Sequence, residues 1–210
     1  MITFHILGDG PRDEAMVPLI AERLLKVRIR AEYTAWKDLR ARGGYEGKLK
    51  FAARRAVDAN VPRLIATVDT DKDVFGKKLK RLSNARRQDS TCNSLLRIAL
   101  GEAFPHAEAW LLDDPVAVRN ALHLPSDADI PSTKNEDDPK QALEYLRRIG
   151  DRVDDPILAI LADIAGELDP SRCGRAEQTG FQAFQEELVA AFRTIAAECG
   201  TDCQCGDECR

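Results

Sequence analysis

Residues 64–73, with the sequence LIATVDTDKD, constrain the fold more than any other stretch of this chain. An apolar run rich in β-branched residues leads directly into three alternating carboxylates, Asp69, Asp71 and Asp73. A short apolar run of this kind, bounded by turn signals, indicates a buried β-strand. The carboxylates then follow the carboxyl end of a strand, where open α/β sheets bind their ligands.

The rest of the first half alternates strand and helix patterns. The predicted strands are 3–7, 27–36, 64–69 and 95–100, and the predicted helices between them are 12–26, 48–59 and 74–87. This alternation favours a mostly parallel sheet with helices on its faces. A Pro- and Asp-rich loop at 123–139 leads into predicted helices at 139–149, 156–168 and 177–198. The expected fold class is therefore α/β, with an α-helical C-terminal extension.

Charge is distributed unevenly along the 210 residues. Residues 1–105 hold 21 Lys and Arg against 13 Asp and Glu, whereas residues 106–210 hold 10 against 22. Such asymmetry suggests a polyanion-facing surface, although a basic solvated face explains it equally well. No apolar run approaches the ~20 residues that a membrane span needs. The first strand is too short and uncharged for a signal peptide, so we expect a cytoplasmic protein without membrane association.

The alternating aspartates suggest comparison with three kinds of site. An EF-hand loop is excluded, because Val74 and Lys80 occupy the positions of its glycine and its bidentate glutamate. A haloacid-dehalogenase-type phosphatase usually carries its D-x-D on the first strand, whereas this motif lies on a later one. A Toprim domain fits that placement best. The alternative to any functional site is that the three acids are simply exposed to water at the end of the strand.

Further acids follow other strands of the predicted sheet. Asp9, Asp13 and Glu14 come after the first strand, and a cluster from Glu108 to Asp114 comes after the last. Carboxylates that converge from several strand ends suit Mg²⁺, which is held by a few oxygen ligands around a phosphate.

These motifs together resemble a known family. ILGDG with Asp13 and Glu14, then LIATVDTDKD, then AEAWLL, resemble a Toprim-like family of bacterial proteins found in mobile and anti-phage loci. That family is related to the Toprim portion of the overcoming-lysogenization-defect nucleases. The resemblance covers about 1–125. It implies a Toprim-like domain over 1–125. The residue pattern adds a helical extension over 126–198 and a Cys-rich tail over 199–210.

The resemblance implies a Mg²⁺- or Mn²⁺-dependent nuclease in phage defence. The implied metal ligands are Asp69, Asp71, Asp73 and Glu108; the implied catalytic residues are Asp9, Glu14, Asp69 and Asp71; and the implied nucleic-acid contacts are Lys77, Lys78 and Arg81. Leu7 departs from the pattern, because Toprim domains place a glutamate there. Whether DNA or RNA is the substrate stays open.

Two other functions remain open. One is a non-catalytic Toprim-like module that binds a partner ATPase, and the other is phosphoryl transfer on small substrates. The Phe-rich stripe of the last helix indicates either core packing or a homodimer interface. The three histidines are scattered and receive no catalytic role. The clustered thiols of the tail suggest a structural Zn²⁺ site or an unstructured terminus; they are Cys199, Cys203, Cys205 and Cys209.

Overall fold

The computed structural model describes residues 1–71, 73–131 and 138–201, with side chains described except at 93–94 and 194–201. The strands in these ranges are β1 (Ile2–Gly8), β2 (Ile29–Ala35), β3 (Arg63–Asp69) and β4 (Arg97–Ala103). The helices are α1 (Pro11–Leu25), α2 (Gly44–Asp58), α3 (Lys77–Gln88), α4 (Glu108–Leu112), α5 (Pro115–Leu122), α6 (Pro139–Ile149), α7 (Ile157–Glu167), α8 (Ala176–Thr179) and α9 (Phe181–Thr201). Within this described part, none of the helices has the combined length and apolarity that a membrane crossing requires.

The four strands form a parallel sheet in the order β2-β1-β3-β4. The predicted α/β class, with a parallel sheet flanked by helices and a helical C-terminal extension, is confirmed. Because all strands run the same way, the carboxyl ends of β1, β3 and β4 meet at one edge. The predicted last strand, 95–100, begins and ends too early. β4 begins at Arg97 and continues past the buried Glu102 to Ala103.

Side chains of each strand alternate between two cores, one on each face of the sheet. Phe4 and Ile6 of β1 enter the first core with Ile65 of β3. Leu7 and Ala66 enter the second core, which α2 and α3 cover. Leu7 therefore points into the interior and not toward the sheet edge.

The helices after residue 138 cover the first face of the sheet. α7 packs on α1, and α9 packs on β4 and α1. Phe181, Phe184 and Phe192 of α9 are fully buried in the first core, where each contributes ~1.5–3 kcal/mol of burial. The aromatic stripe that the sequence offered as core or dimer interface is thus occupied within the chain.

Trp110 fixes α4 above the carboxyl edge. Its ring stacks on Phe184 with centroids 4.8 Å apart, and its Nε1–H donates to the Thr179 carbonyl at 2.8 Å. α4 starts at Glu108, only a few residues beyond the end of β4. The segment between them, residues 104–107, is therefore held close to the carboxyl ends of the strands.

Candidate metal centre at the carboxyl edge of the sheet

Asp69, the last residue of β3, connects three segments of the sheet edge. Its N–H donates to Asp9 Oδ2 at 2.7 Å, which joins the β1 loop to β3. Its Oδ1 accepts from the Ala107 N–H at 2.9 Å, and its Oδ2 lies 3.0 Å from His106 Nδ1. The carboxylate is largely buried, so these contacts fix its position.

Three side chains converge in front of this strand end. Single ligand atoms of Asp69, Asp71 and His106 all lie within 4.8 Å of one another. Asp71 adopts a left-handed backbone conformation with φ of 53°, which aspartate tolerates better than most residues. Its side chain is about half exposed, at 52%. The cluster is therefore buried at Asp69 and open to solvent at Asp71.

The loop after β1 brings two more carboxyl groups to the same edge. The Asp9 N–H donates to Asp13 Oδ2 at 2.6 Å. Gly8 makes this contact feasible, because a Cβ there would lie 2.6 Å from the Asp13 carboxylate. The Tyr45 hydroxyl donates to Asp9 Oδ1 at 3.3 Å, and the Tyr33 hydroxyl donates to the Gly10 carbonyl at 2.7 Å.

Burial and crowding of like charge change the proton affinities of these groups. Burial, followed by the charge of Asp69, raises the pKa of Asp13 to about 8. Burial also raises the pKa of Asp9, which the neighbouring carboxylates of Asp69 and Asp71 reinforce. The hydrogen bond with Asp69 raises the pKa of His106. Asp9 and Asp13 thus hold their protons more tightly than free carboxyl groups do, as expected for buried acids beside like charges.

Two lysines supply part of the missing positive charge. Lys78 is buried and its Nζ donates to the Asp69 carbonyl at 2.6 Å and to Asp71 Oδ2 at 2.8 Å. It also lies 5.5 Å from the centre of the Tyr45 ring. Lys140 Nζ lies 3.9 Å from Asp69 Oδ2. Lys78 thus contacts both aspartates of the cluster, and Lys140 contacts Asp69 alone.

Three other acids with predicted site roles lie outside the cluster. Asp73 is exposed and accepts from Lys77 Nζ at 2.8 Å. Glu108 is buried and accepts from Arg12 Nη1 at 2.7 Å. Glu14 is exposed on α1. None of these three acids belongs to the close group of ligand atoms found among the described residues, and their catalytic and metal-binding roles stay predictions.

The predicted nucleic-acid contacts on and beside α3 are engaged within the chain. Lys77 pairs with Asp73, and Lys78 is bound in the acidic cluster as described above. Arg81 makes a two-pronged ion pair with Glu46, at 2.5 and 2.9 Å. These basic groups therefore lie near the site, with their charges already compensated.

The predicted zinc ligands lie outside the part of the chain whose side chains are described. Cys203, Cys205 and Cys209 fall beyond residue 201, and Cys199 lies in α9 where side chains are not described. The Zn²⁺ site of the tail stays a prediction.

His106 is the site residue that sequence reasoning missed. No carboxylate lies at triad-like spacing from His106 along the chain. The available signal was its place just after the last strand, at the edge where the acids were expected. Two carboxylates and one imidazole suit a divalent first-row cation such as Mn²⁺, and the carboxylates alone also suit Mg²⁺. The donor set therefore fits a divalent metal ion.

Comparison of this chain with protein-family models, with curated proteins and with solved structures finds no match. No relative therefore assigns a function to these site residues.

Proposed function

We propose that the protein is a divalent-metal-dependent nuclease that hydrolyses phosphodiester bonds at the carboxyl edge of its sheet. The observation that carries the proposal is the convergence of Asp69, Asp71 and His106, whose ligand atoms lie within 4.8 Å of one another. The Toprim-like resemblance of residues 1–125 supports the same chemistry. Mn²⁺ and Mg²⁺ are the cations that this donor set suits.

The electrostatics of the edge supports a cationic occupant. Asp9, Asp13, Asp69 and Asp71 bring four carboxyl groups together, whereas Lys78 is the one buried cation described among them. A divalent ion next to Asp69 and Asp71 would offset their mutual repulsion. A cation held there stabilises the charge that develops on a phosphate during hydrolysis.

Asp9 is the proposed general base. Its raised pKa makes it a stronger base than an exposed aspartate, and the N–H of Asp69 and the hydroxyl of Tyr45 orient its two oxygens. In the Toprim pattern this role belongs to a glutamate at the position of Leu7. Leu7 is buried in the second core and offers no carboxylate to the site. Asp9, in the loop after β1, contacts Asp69 instead.

A second candidate function has one specific observation in its favour. Lys78 Nζ already neutralises Asp71 and binds the Asp69 carbonyl. An internal ammonium in this place favours a non-catalytic module whose cluster is purely structural, such as one that docks on a partner ATPase. We rank it second because Asp71 remains about half exposed and His106 stays beside it.

The cellular setting is part of the proposal and depends on the resemblance alone. We propose that the protein acts in the cytoplasm, on phage-derived or mobile DNA or RNA. Activity can be measured without this setting, since the proposed site lies within one chain.

The deciding experiment compares cleavage by the wild type with cleavage by Asp69→Asn and Asp71→Asn. Single-stranded and duplex DNA and RNA are incubated with Mg²⁺ or Mn²⁺, and EDTA serves as the metal-free control. Loss of a ligand that stabilises phosphate charge should slow cleavage about 100-fold or more. Asp58→Asn, at an exposed position of α2, is the matched control. Cleavage that is equal in all variants, or absent from the wild type with every substrate, would refute the nuclease.

A further inference from the structure

One face of α6 carries two basic side chains and an exposed tyrosine. Lys140, Tyr145 and Arg148 follow one another along α6 at intervals of five and three residues. With Gln141 and Glu144 they line a surface groove of about 410 Å³. A groove of this volume is large enough for a nucleotide-sized ligand.

Lys140 connects the groove to the acidic cluster. Lys140 lies in the first turn of α6, and its Nζ is 3.9 Å from Asp69 Oδ2. Arg148 lies eight residues further along, which is roughly 12 Å at the rise of an α-helix. A ligand that contacts both basic residues therefore extends from the acidic cluster along the helix.

The charges of this face are suited to an anion. Glu144 is neutralised by Arg147, whose Nη2 lies 3.1 Å away. Within the described ranges Arg148 has no ion-pair partner, and it is exposed. This distinguishes α6 from α3, where Lys77 and Arg81 are both paired with carboxylates of the chain.

Tyr145 adds an aromatic surface between the two cations. It is 56% exposed, although α6 buries Leu143 and Leu146 in the first core. Proteins that bind single strands combine basic grooves with aromatic side chains on which unpaired bases stack.

We propose that α6 binds a single-stranded nucleic acid and leads it to the metal centre. Lys140 and Arg148 contact backbone phosphates, and Tyr145 stacks on a base between them. The inference rests on the proposed nuclease function, for which it defines the substrate as a single strand. It also assigns strand binding to side chains that are not themselves metal ligands.

The test measures binding separately from cleavage, in EDTA, by fluorescence anisotropy with labelled oligothymidylate and oligouridylate. Tyr145→Ala should weaken binding about tenfold by removing one stacked base, and Tyr145→Phe should restore it. Arg148→Gln should lower the slope of log affinity against log salt by roughly 0.7, the value for one phosphate contact on a single strand. Tyr145→Ala should leave that slope unchanged, because stacking releases no counterions.

Matched controls are available on other surfaces. Phe51→Ala removes an exposed aromatic ring of α2, and Arg28→Gln removes an exposed charge beside the amino end of β2. Both should bind like the wild type. Equal affinity for all variants, tighter binding to duplex than to single strands, or no binding by the wild type would each overturn the proposal.

The two proposals fail in different ways. Cleavage that requires Asp69 but is insensitive to Tyr145 and Arg148 supports the nuclease and overturns strand binding by α6. Binding that depends on Tyr145 and Arg148, without metal-dependent cleavage, supports strand binding and refutes the nuclease. Comparison of the two oligonucleotides also separates DNA from RNA as the preferred strand.

Discussion

Replacing Asp13 by asparagine should stabilise the metal-free protein, and the gain should grow with pH. The pKa of Asp13 rises from 3.8 to about 8 on folding, because the carboxyl group is buried beside other acids. The folded state thus favours the protonated form. The resulting stability is fully present below pH 3.8 and is lost as the pH rises toward about 8. Asparagine cannot ionise, so the stability of the Asp13→Asn variant does not fall in that range for this reason.

The size of the effect follows from proton linkage. Each pH unit between the two pKa values changes the free energy of unfolding by at most about 1.4 kcal/mol. For a chain of 210 residues this corresponds to about 3–5 °C in Tm per pH unit. The asparagine side-chain oxygen can still accept the Asp9 N–H, so the hydrogen bond that Asp13 receives is retained.

The assay is thermal unfolding of wild type and Asp13→Asn in EDTA, from about pH 5 to pH 8. Glu14→Gln is the matched control, since it removes an exposed carboxylate in the same helical turn. The difference between Asp13→Asn and wild type should widen steadily with pH, whereas the control difference should stay small. A difference that is constant across this range would refute the argument from burial and like charge.

Three other predictions concern packing, a buried ion pair and metal binding. Gly101→Ala should cost about 1–3 kcal/mol in urea unfolding, because the new Cβ would lie 2.7 Å from Phe184, whereas Gly166→Ala, with open space around it, should be neutral or stabilising. Asp114→Ala should cost about 3–5 kcal/mol in the same assay, because Arg172 and several N–H donors lose a fully buried partner. Mn²⁺ at about 100 times its dissociation constant should raise the wild-type Tm by roughly 5–10 °C in a thermal-shift assay, and EDTA should reverse the rise.

The sequence predicts the sheet well because apolar periodicity reports burial directly. The strand ending in Asp69 is recognisable from its β-branched run, and the alternation of strands and helices predicts parallel pairing. The end of β4 is harder to predict, because Glu102 is a buried carboxylate within a strand. Its partners are the Thr70 hydroxyl and the Leu79 N–H, which lie far from it along the chain.

The site is only partly predictable, because some of its contacts also join residues that lie far apart along the chain. Asp9 and Asp69 could be expected to meet, since parallel strands bring their ends to one edge. The role of His106 could not be expected, because it depends on how residues 104–107 lie over Asp69. Likewise, a basic sequence pattern in α3 does not reveal that Arg81 is already paired with Glu46 across the second face.

Titration of the metal-free protein with Mn²⁺ by calorimetry tests the central claim most directly. The account predicts one site in the wild type, and binding weakened at least about tenfold in Asp71→Asn and in His106→Gln. Asp58→Asn, at an exposed position of α2, should bind like the wild type. Absence of binding to the wild type would contradict a metal centre formed by Asp69, Asp71 and His106. So would Asp71→Asn and His106→Gln variants that bind Mn²⁺ as tightly as the wild type.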